Sequence, residues 1–182
     1  MVNVIEVQGT PNPDALKFIT EARLVERGAK SYENADAAKG DPLGEALFAS
    51  GPVASVFILD RFVTVTKRPT AEWPDLEPKL RSAIESHGTA VAVVAAPSAG
   101  AGTAASNDEI LSKIEEIIDE NVRPALAGDG GGLEVLAYQD GVLTVHYQGA
   151  CGSCPSASAG TLYAIQNLLQ RMLDPKIQVV SV

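Results

Sequence analysis

Short runs of alternating apolar and polar residues predict several β-strands in the first half of the chain. Residues 3–7 alternate, and residues 15–24 form a second extended segment beyond a Pro-rich break. Residues 53–60 and 61–67 predict two strands that meet in a tight turn, and residues 89–94 predict a further strand. The strands therefore do not follow a regular strand–helix alternation.

Two helices are predicted among these strands. Asp41 and Pro42 are typical of a helix start, because Asp caps free backbone N–H groups and Pro fits the first helical position. Gly51 is suited to end this helix. A second helix is indicated before Gly88 by four apolar residues at helical spacing, Leu76, Leu80, Ala83 and Ile84. Strands and helices in mixed order predict a small α+β domain.

The second half of the chain opens with an amphipathic helix. Its start carries the capping box Ser106-x-x-Glu109, in which each side chain can satisfy the other residue's backbone N–H group. Six apolar residues then keep one helical face: Ile110, Leu111, Ile114, Ile117, Ile118 and Val122. Pro124 is expected to end this helical region.

A β-hairpin, a helix and a final strand follow. Residues 133–138 and 142–148 predict strands around Gln139-Asp140-Gly141, which is a hairpin signal because Gly tolerates positive φ. A helix is predicted over residues 155–173, and residues 177–182 predict the last strand. The second half is therefore predicted as a small α-β-β-α-β domain.

Residues 97–106, PSAGAGTAAS, separate the two halves. They contain only Ala, Gly, Ser, Thr and Pro, and so offer no large apolar side chain to a core. We therefore expect an N-terminal α+β domain over residues 1–96, a flexible linker over residues 97–106 and a C-terminal domain over residues 107–182. The alternative is a single domain with one Ala-rich loop.

Composition and charge argue against several classes of function. With 14 Lys and Arg against 23 Asp and Glu, the 182-residue chain has a formal net charge of -9. This balance disfavours nucleic acid and anionic membranes as partners. No apolar run approaches the ~20 residues of a membrane span, and the N-terminal residues resemble neither a signal peptide nor a transit peptide. We therefore expect a cytoplasmic protein.

The strongest chemical signal is Cys151-Gly152-Ser153-Cys154-Pro155, which contains both cysteines of the chain. Cys151 is predicted in a loop that leaves a strand, and Cys154 at the N-cap of the next helix. Free backbone N–H groups and the helix dipole stabilise a thiolate at such a position. In a reducing compartment the pair indicates metal or redox chemistry, and two inert buried thiols are the remaining alternative.

The residues by themselves leave both kinds of chemistry open. The spacing resembles a thioredoxin-like dithiol, but residues 155–182 are too few for the sheet that a thioredoxin builds after its cysteines. A structural zinc site needs four ligands, and His87 and His146 lie in different predicted domains. A symmetric dimer would supply four cysteines, which suit zinc and an iron–sulfur cluster equally.

Longer stretches around these motifs resemble a known family. VRPALAGDGGGLEV and GACGSCPSASAGTL are similar to the C-terminal cluster-binding domain of the Nfu/NifU iron–sulfur scaffold and carrier proteins. TPNPDALKF, DPLGEALF and VFILDRFVTVTK resemble the family's N-terminal domain. The resemblance implies a carrier rather than an enzyme, with a [4Fe-4S] cluster bridging two subunits and Cys151 and Cys154 of each subunit as its ligands.

The resemblance also implies partners. These are a second copy of the chain when the cluster is bound, an upstream cluster scaffold as donor, and apo iron–sulfur proteins as acceptors. The N-terminal domain would then be a docking or regulatory part. A CxxC dithiol–disulfide oxidoreductase and a zinc-bridged dimeric adaptor remain the alternative functions.

Three further features have weaker implications. The family commonly has a second acid in its D-G-G-D stretch, where this chain has Gly132, and we expect residues 129–132 to form a flexible turn near the cysteine loop. Thr10-Pro11-Asn12-Pro13 predicts a rigid turn closed by an Asx-type bend, with partner recognition as a further option. Trp73 is expected to pack at a helix start.

Overall fold

The structure is a computed structural model that describes residues 2–25, 28–88, 105–150 and 155–182. The side chains of residues 105–109 and 155–159 are outside this description. The chain divides into two compact units, Met1–Ala95 and Ala96–Val182, and each contains helices and strands. The predicted α+β class with two small domains is therefore confirmed. Residues 97–104 of the predicted linker lie outside the described residues.

Among its described residues, the first unit contains a five-stranded antiparallel sheet and two helices. Its elements are β1 (Val4–Gly9), β2 (Ala15–Thr20), β3 (Ala29–Tyr32), α1 (Pro42–Ala49), β4 (Val53–Leu59), β5 (Phe62–Lys67) and α2 (Trp73–His87). The strand order is β1-β2-β5-β4-β3. Each strand and helix predicted for the described residues is present, although β2 ends at Thr20 rather than at Leu24. The strand predicted over residues 89–94 lies outside the described residues.

The sequence analysis missed β3, a four-residue strand at the edge of the sheet. Its sequence, AKSY, is too short and too polar to produce a recognisable alternation. It forms by pairing with β4, where Lys30 lies opposite Ile58 and Tyr32 lies opposite Val56. The neighbouring strand, rather than local propensity, therefore determines this element.

Both helices of the first unit pack on one face of its sheet. Alternation along β5 directs Val63 and Val65 to that face. There they are fully buried in one hydrophobic cluster with Leu47 of α1 and with Leu80 and Ile84 of α2. Full burial of each such side chain contributes roughly 1.5–3 kcal/mol, so this cluster is the main source of stability of the unit.

Asp41 joins the start of α1 to β3. Its Oδ1 accepts hydrogen bonds from the backbone N–H groups of Leu43 (3.0 Å) and Gly44 (3.2 Å), as predicted for an N-cap. Its Oδ2 accepts hydrogen bonds from Lys30 Nζ and from the Tyr32 hydroxyl, the latter at 2.7 Å. Partial burial acts to raise the pKa of Asp41, but these hydrogen bonds outweigh it and hold the pKa below its ordinary value.

We expect Asp41→Ala to lower the free energy of unfolding of the first unit by about 1–3 kcal/mol, because it removes a helix cap and the shared acceptor of Lys30 and Tyr32. The folded-state pKa of Asp41 is lowered, so its contribution is complete above roughly pH 4 and is lost as pH falls through that folded-state value. Urea unfolding at neutral and acidic pH measures both effects, followed by the fluorescence of the single Trp, which lies in this unit.

Asp36→Ala is the control for this variant. Asp36 forms an exposed ion pair with Lys39 in the loop just before α1. Its removal should leave the free energy of unfolding unchanged, because exposed pairs contribute little. If Asp41→Ala is as stable as the unsubstituted chain at neutral pH, the role given to Asp41 is wrong.

The second unit is a three-stranded sheet with three helices among its described residues. Its elements are α3 (Ala105–Asn121), α4 (Arg123–Gly128), β6 (Gly131–Gln139), β7 (Val142–Gly149), α5 (Pro155–Met172) and β8 (Gln178–Ser181). The strand order is β6-β7-β8, with β6 antiparallel and β8 parallel to β7. The predicted α-β-β-α-β order is present with one helix added. α3 begins one residue before the predicted N-cap, Ser106.

The added helix is α4, which the sequence pattern does not predict because Pro124 reads as a helix end. Pro124 was expected to end a helical region, but it lies in the first turn of α4. A proline is tolerated there because the backbone N–H that it lacks would have no partner within the helix. Leu126 of α4 is then buried in the core of the second unit.

α3 and α5 pack on one face of the second sheet. Ile114 and Ile118 of α3 and Ile165 and Leu169 of α5 have at most 2% of their surface exposed, and they share one cluster with Val145 of β7. The predicted hairpin turn is confirmed, with Asp140 at φ 50° and Gly141 at φ 82°. The helices and the hairpin therefore form a core of their own within this unit.

Candidate functional site

Cys151 and Cys154, the two predicted ligands, lie in residues 151–154, outside the described residues. The structure describes the chain on both sides of them. β7 ends at Gly149, followed by Ala150, and α5 begins at Pro155. The predicted strand before Cys151 and the predicted helix start at Pro155 are therefore confirmed, while the loop and N-cap positions predicted for the cysteines themselves lie outside the described residues.

The strand side of this connection is fixed by packing and hydrogen bonding. Val145 and Tyr147 of β7 are buried on the face that carries the helices. Ala150 is 2% exposed, and its backbone N–H donates a hydrogen bond of 3.2 Å to the carbonyl oxygen of Gly130. The residue immediately before Cys151 is thus held by the core and by the neighbouring segment.

Two glycines lie next to this hydrogen bond and adopt a left-handed backbone conformation. Gly130 has φ 77° and Gly149 has φ 68°, where a Cβ atom would be strained. Gly149 also lies opposite Gly131 in the β6–β7 ladder. No role is predicted for Gly149 from the sequence, although a glycine between a predicted strand and a cysteine is itself a signal of a backbone turn.

The Asp129–Gly132 segment, expected to form a flexible turn, is a turn only in its first half, and a hydrogen bond joins its Gly130 to Ala150, the residue before Cys151. Asp129 and Gly130 form a turn, and Gly131 and Gly132 are the first residues of β6. Gly132, where the family commonly has an acid, lies opposite Gln148 of β7. Gly132 is therefore part of the sheet and not of a flexible turn.

The helix side of the connection is held by the core and by β8. Ile165 and Leu169 anchor α5 to the hydrophobic cluster. Gln166 Oε1 accepts a hydrogen bond of 3.1 Å from the backbone N–H of Val179. Gln170 Nε2 donates one of 2.8 Å to the carbonyl oxygen of Ile177. The elements on both sides of residues 151–154 are thus held in place by one core.

The two histidines do not assemble into a metal site among the described residues. His87 is exposed in the last turn of α2, in the first unit, as expected for a residue at a helix C-terminus. His146 lies on β7 opposite Glu134, in the second unit. Within the described ranges, no group of three or more His, Cys, Asp or Glu side chains could hold a metal ion.

The Thr10–Pro13 turn, a candidate for partner recognition, is a hydrogen-bonded loop in the first unit. Asn12 is buried, and its Oδ1 accepts a hydrogen bond of 3.0 Å from the backbone N–H of Asp14, which confirms the predicted Asx bend. Trp73 Nε1 donates a hydrogen bond of 3.1 Å to the carbonyl oxygen of Pro13. Trp73 thus packs at the start of α2, as predicted, and also fixes this loop.

Two family profiles match this chain, one for each unit. The profile described as the N-terminal domain of the scaffold protein Nfu/NifU matches residues 5–90. The profile of the NifU-like domain matches residues 114–180. Together they cover most of both compact units, in the order in which the sequence resemblance placed them.

Curated relatives resemble nearly the whole chain. The "NFU1 iron-sulfur cluster scaffold homolog, mitochondrial" of Drosophila persimilis is 32% identical over 97% of this chain and 64% of its own length. The "NifU-like protein 4, mitochondrial" of Arabidopsis thaliana is 33% identical over 93% of this chain and 62% of its own length. This chain thus spans less than two thirds of the length of either relative.

A solved structure of a NifU-like protein from Saccharomyces cerevisiae also resembles part of the chain. It is 25% identical, with a TM-score of 0.41, and the match covers 46% of this chain and 77% of that one.

Proposed function

Because this chain belongs to the Nfu/NifU family of scaffold proteins, we propose that it is an iron–sulfur cluster scaffold and carrier. It would bind a [4Fe-4S] cluster through Cys151 and Cys154 of each of two subunits and deliver it to apo-proteins. In this proposal the cluster is cargo rather than a resident catalytic group, and the protein turns over no small substrate.

The observation that supports this proposal best is the position of the cysteine loop. It lies between the strand end held by Ala150 and the helix start at Pro155. Both flanking elements are anchored in one core, so the two thiols of a chain would be presented together. One chain contributes only two thiolate ligands, and a cluster bound by cysteines commonly needs four, so a second copy would complete the site.

A shared site of this kind also suits delivery. Each copy would hold the cluster through only two ligands, so an acceptor's thiols could replace one pair when the copies separate. The hydrophobic core of each copy need not unfold for this exchange, because the proposed ligands lie between β7 and α5 rather than in the core. The proposed partners are an upstream scaffold that donates the cluster and apo iron–sulfur proteins that accept it.

Two alternative functions use the same cysteines. A dithiol oxidoreductase would cycle Cys151 and Cys154 between thiols and a disulfide, and a zinc-bridged adaptor would hold a metal between two copies. The curated relatives named as iron–sulfur scaffolds favour the carrier over both. The cytoplasmic location stays a prediction, and the relatives named above are mitochondrial proteins. Among the described residues, no helix is both long and apolar enough to span a membrane.

Reconstitution with iron and sulfide in the absence of oxygen tests the proposed function. A carrier should turn brown and retain roughly two iron and two sulfide ions per chain, as one [4Fe-4S] cluster per two chains requires. A colourless protein that reduces insulin disulfides would instead identify the oxidoreductase. A colourless protein that retains only zinc would identify the adaptor.

Cluster assembly should convert the chain to a dimer, because the free energy of metal binding then also drives association. Light scattering of the same protein with and without cluster measures this change. The apo-protein should contain a larger fraction of monomer than the loaded protein at the same concentration. A monomer that carries the full cluster would contradict the shared site.

The second unit should bind the cluster without the first unit, because its core is built from its own helices and strands. We expect a fragment over residues 105–182 to fold and to assemble the cluster. It should deliver the cluster to some acceptors more slowly than the full chain, if the first unit docks partners. Recovery of activity by apo-enzymes measures transfer, and equal rates across several acceptors would leave the first unit without a docking role.

A further inference from the structure

We propose that the outward face of α5, centred on Tyr163, is the surface through which two copies of this chain pair around the shared cluster. This inference rests on the proposed function, because it concerns how the second copy reaches the same site. It goes beyond that function by assigning the contact to particular residues of one helix.

The connection of α5 to the cysteine loop places it close to any shared cluster. Pro155, its first residue, directly follows Cys154. At 1.5 Å of rise per residue, Tyr163 lies about 12 Å along the helix from Pro155. Two copies that each direct the cysteine loop to one cluster are related by a two-fold axis near that cluster. The first turns of α5 are therefore among the surfaces nearest to the axis.

α5 differs from α3, the other long helix of the unit, in its charged residues. α5 contains no Asp or Glu, and its charged residue is Arg171. α3 contains six acidic residues against one Lys: Asp108, Glu109, Glu115, Glu116, Asp119 and Glu120. The chain has a net charge of -9, so two copies repel one another unless they meet on a surface free of carboxylates. α5 offers such a surface.

The face of α5 that points away from the core combines an exposed aromatic side chain with open space over a glycine one turn away. Tyr163 has 69% of its surface exposed. Among the described residues, and apart from its own helix backbone and chain neighbours, Gly160, one turn before Tyr163, has no atom within 4 Å of the position of an added Cβ, and Ala164 is also exposed. In a two-fold contact, Tyr163 of one copy can fill the space over Gly160 of the other copy, and the same contact is repeated by symmetry. Buried Tyr side chains commonly dominate binding energy in such interfaces.

A further exposed apolar surface of this unit lies on its sheet, farther from the cysteines along the chain. Leu136 of β6 is 43% exposed and Val180 of β8 is 41% exposed. Val180 lies opposite Thr144, six residues before Ala150, on the face that the helices leave open. Leu136 therefore provides a control for a general effect of adding charge to an exposed apolar site.

The test compares three variants after cluster reconstitution without oxygen. Tyr163→Glu places two like charges at the two-fold contact, Tyr163→Phe keeps the aromatic ring, and Leu136→Glu adds the same charge to the sheet surface. Sedimentation equilibrium gives the dimer dissociation constant of each loaded protein. We expect Tyr163→Glu to raise this constant at least tenfold, and Tyr163→Phe and Leu136→Glu to change it less than threefold.

A covalent readout tests the contact directly. Replacement of Tyr163 by the photo-crosslinker p-benzoylphenylalanine should give linked dimers on irradiation of the loaded protein, and far fewer with the apo-protein. The same replacement at Leu136 should give none. If the unsubstituted chain forms a loaded dimer but Tyr163→Glu dimerises equally well or no crosslink forms, the α5 contact is wrong and the carrier function stands. If the unsubstituted chain assembles no cluster, the proposed function itself is wrong.

Discussion

Cys151→Ser and Cys154→Ser are each expected to abolish stable cluster binding while leaving the fold of the apo-protein intact. Each substitution removes one of the two thiolates that a chain contributes, and therefore two of the four ligands of the shared site. The fold should persist because Ala150 is held by its own burial and hydrogen bond, and Pro155 begins a helix anchored by the core. Iron and sulfide content after reconstitution, together with urea unfolding of the apo-protein, measures the two effects.

Ser153→Ala is the matched control for the cysteine variants. It lies between the two cysteines and changes the same loop, but both thiols remain. It should retain the cluster of the unsubstituted chain. A normal cluster in either cysteine variant would exclude the shared four-thiolate site, whereas loss of the cluster in Ser153→Ala would show that loop conformation matters beyond the ligands.

Leu169→Ala is expected to lower the free energy of unfolding of the second unit by about 2–5 kcal/mol, because it removes a fully buried side chain and leaves a cavity. Leu169 lies in the hydrophobic cluster that joins α5 to α3 and β7. The same cluster fixes the helix that begins directly after Cys154. We therefore also expect the variant to hold the proposed iron–sulfur cluster less well at temperatures where the unit begins to unfold.

The measurement can separate the two units within the full chain. The single Trp, Trp73, lies in the first unit, so its fluorescence reports that unit, while far-ultraviolet circular dichroism reports both. Leu169→Ala should shift the dichroism transition and leave the Trp73 transition unchanged. Met172→Ala is the control, three residues along the same helix and 56% exposed. Equal destabilisation by both variants would contradict the packing described for α5.

Much of the secondary structure could be predicted because it is encoded in local patterns. The apolar spacing of α3, with Ile114 and Ile118 on one face, follows directly from the helical repeat. The hairpin signal at Gln139-Asp140-Gly141 has a physical cause, since its central residues take positive φ. The spacing of Cys151 and Cys154 is likewise a local property, and it identified the candidate ligands without any knowledge of the fold.

Other features depend on contacts between residues far apart in the sequence, and no local pattern contains them. β3 exists because β4 offers its edge, and the Lys30–Asp41–Tyr32 cluster exists because β3 lies beside the start of α1. Pro124 lies in the first turn of α4, and Leu126 of this helix packs into the core through contacts that the local sequence does not reveal.

The structure of the chain next to the cysteines also depends on contacts between residues far apart in the sequence. The hydrogen bond from Ala150 to Gly130 joins segments separated by the whole hairpin, and it becomes possible only when β6 and β7 pair. The sequence by itself determined which residues are the candidate ligands of the proposed cluster, because ligand type and spacing are local. The tertiary structure decided what holds Ala150 and α5, on either side of these residues, and which face of α5 stays exposed, because burial is set by the packing of distant elements.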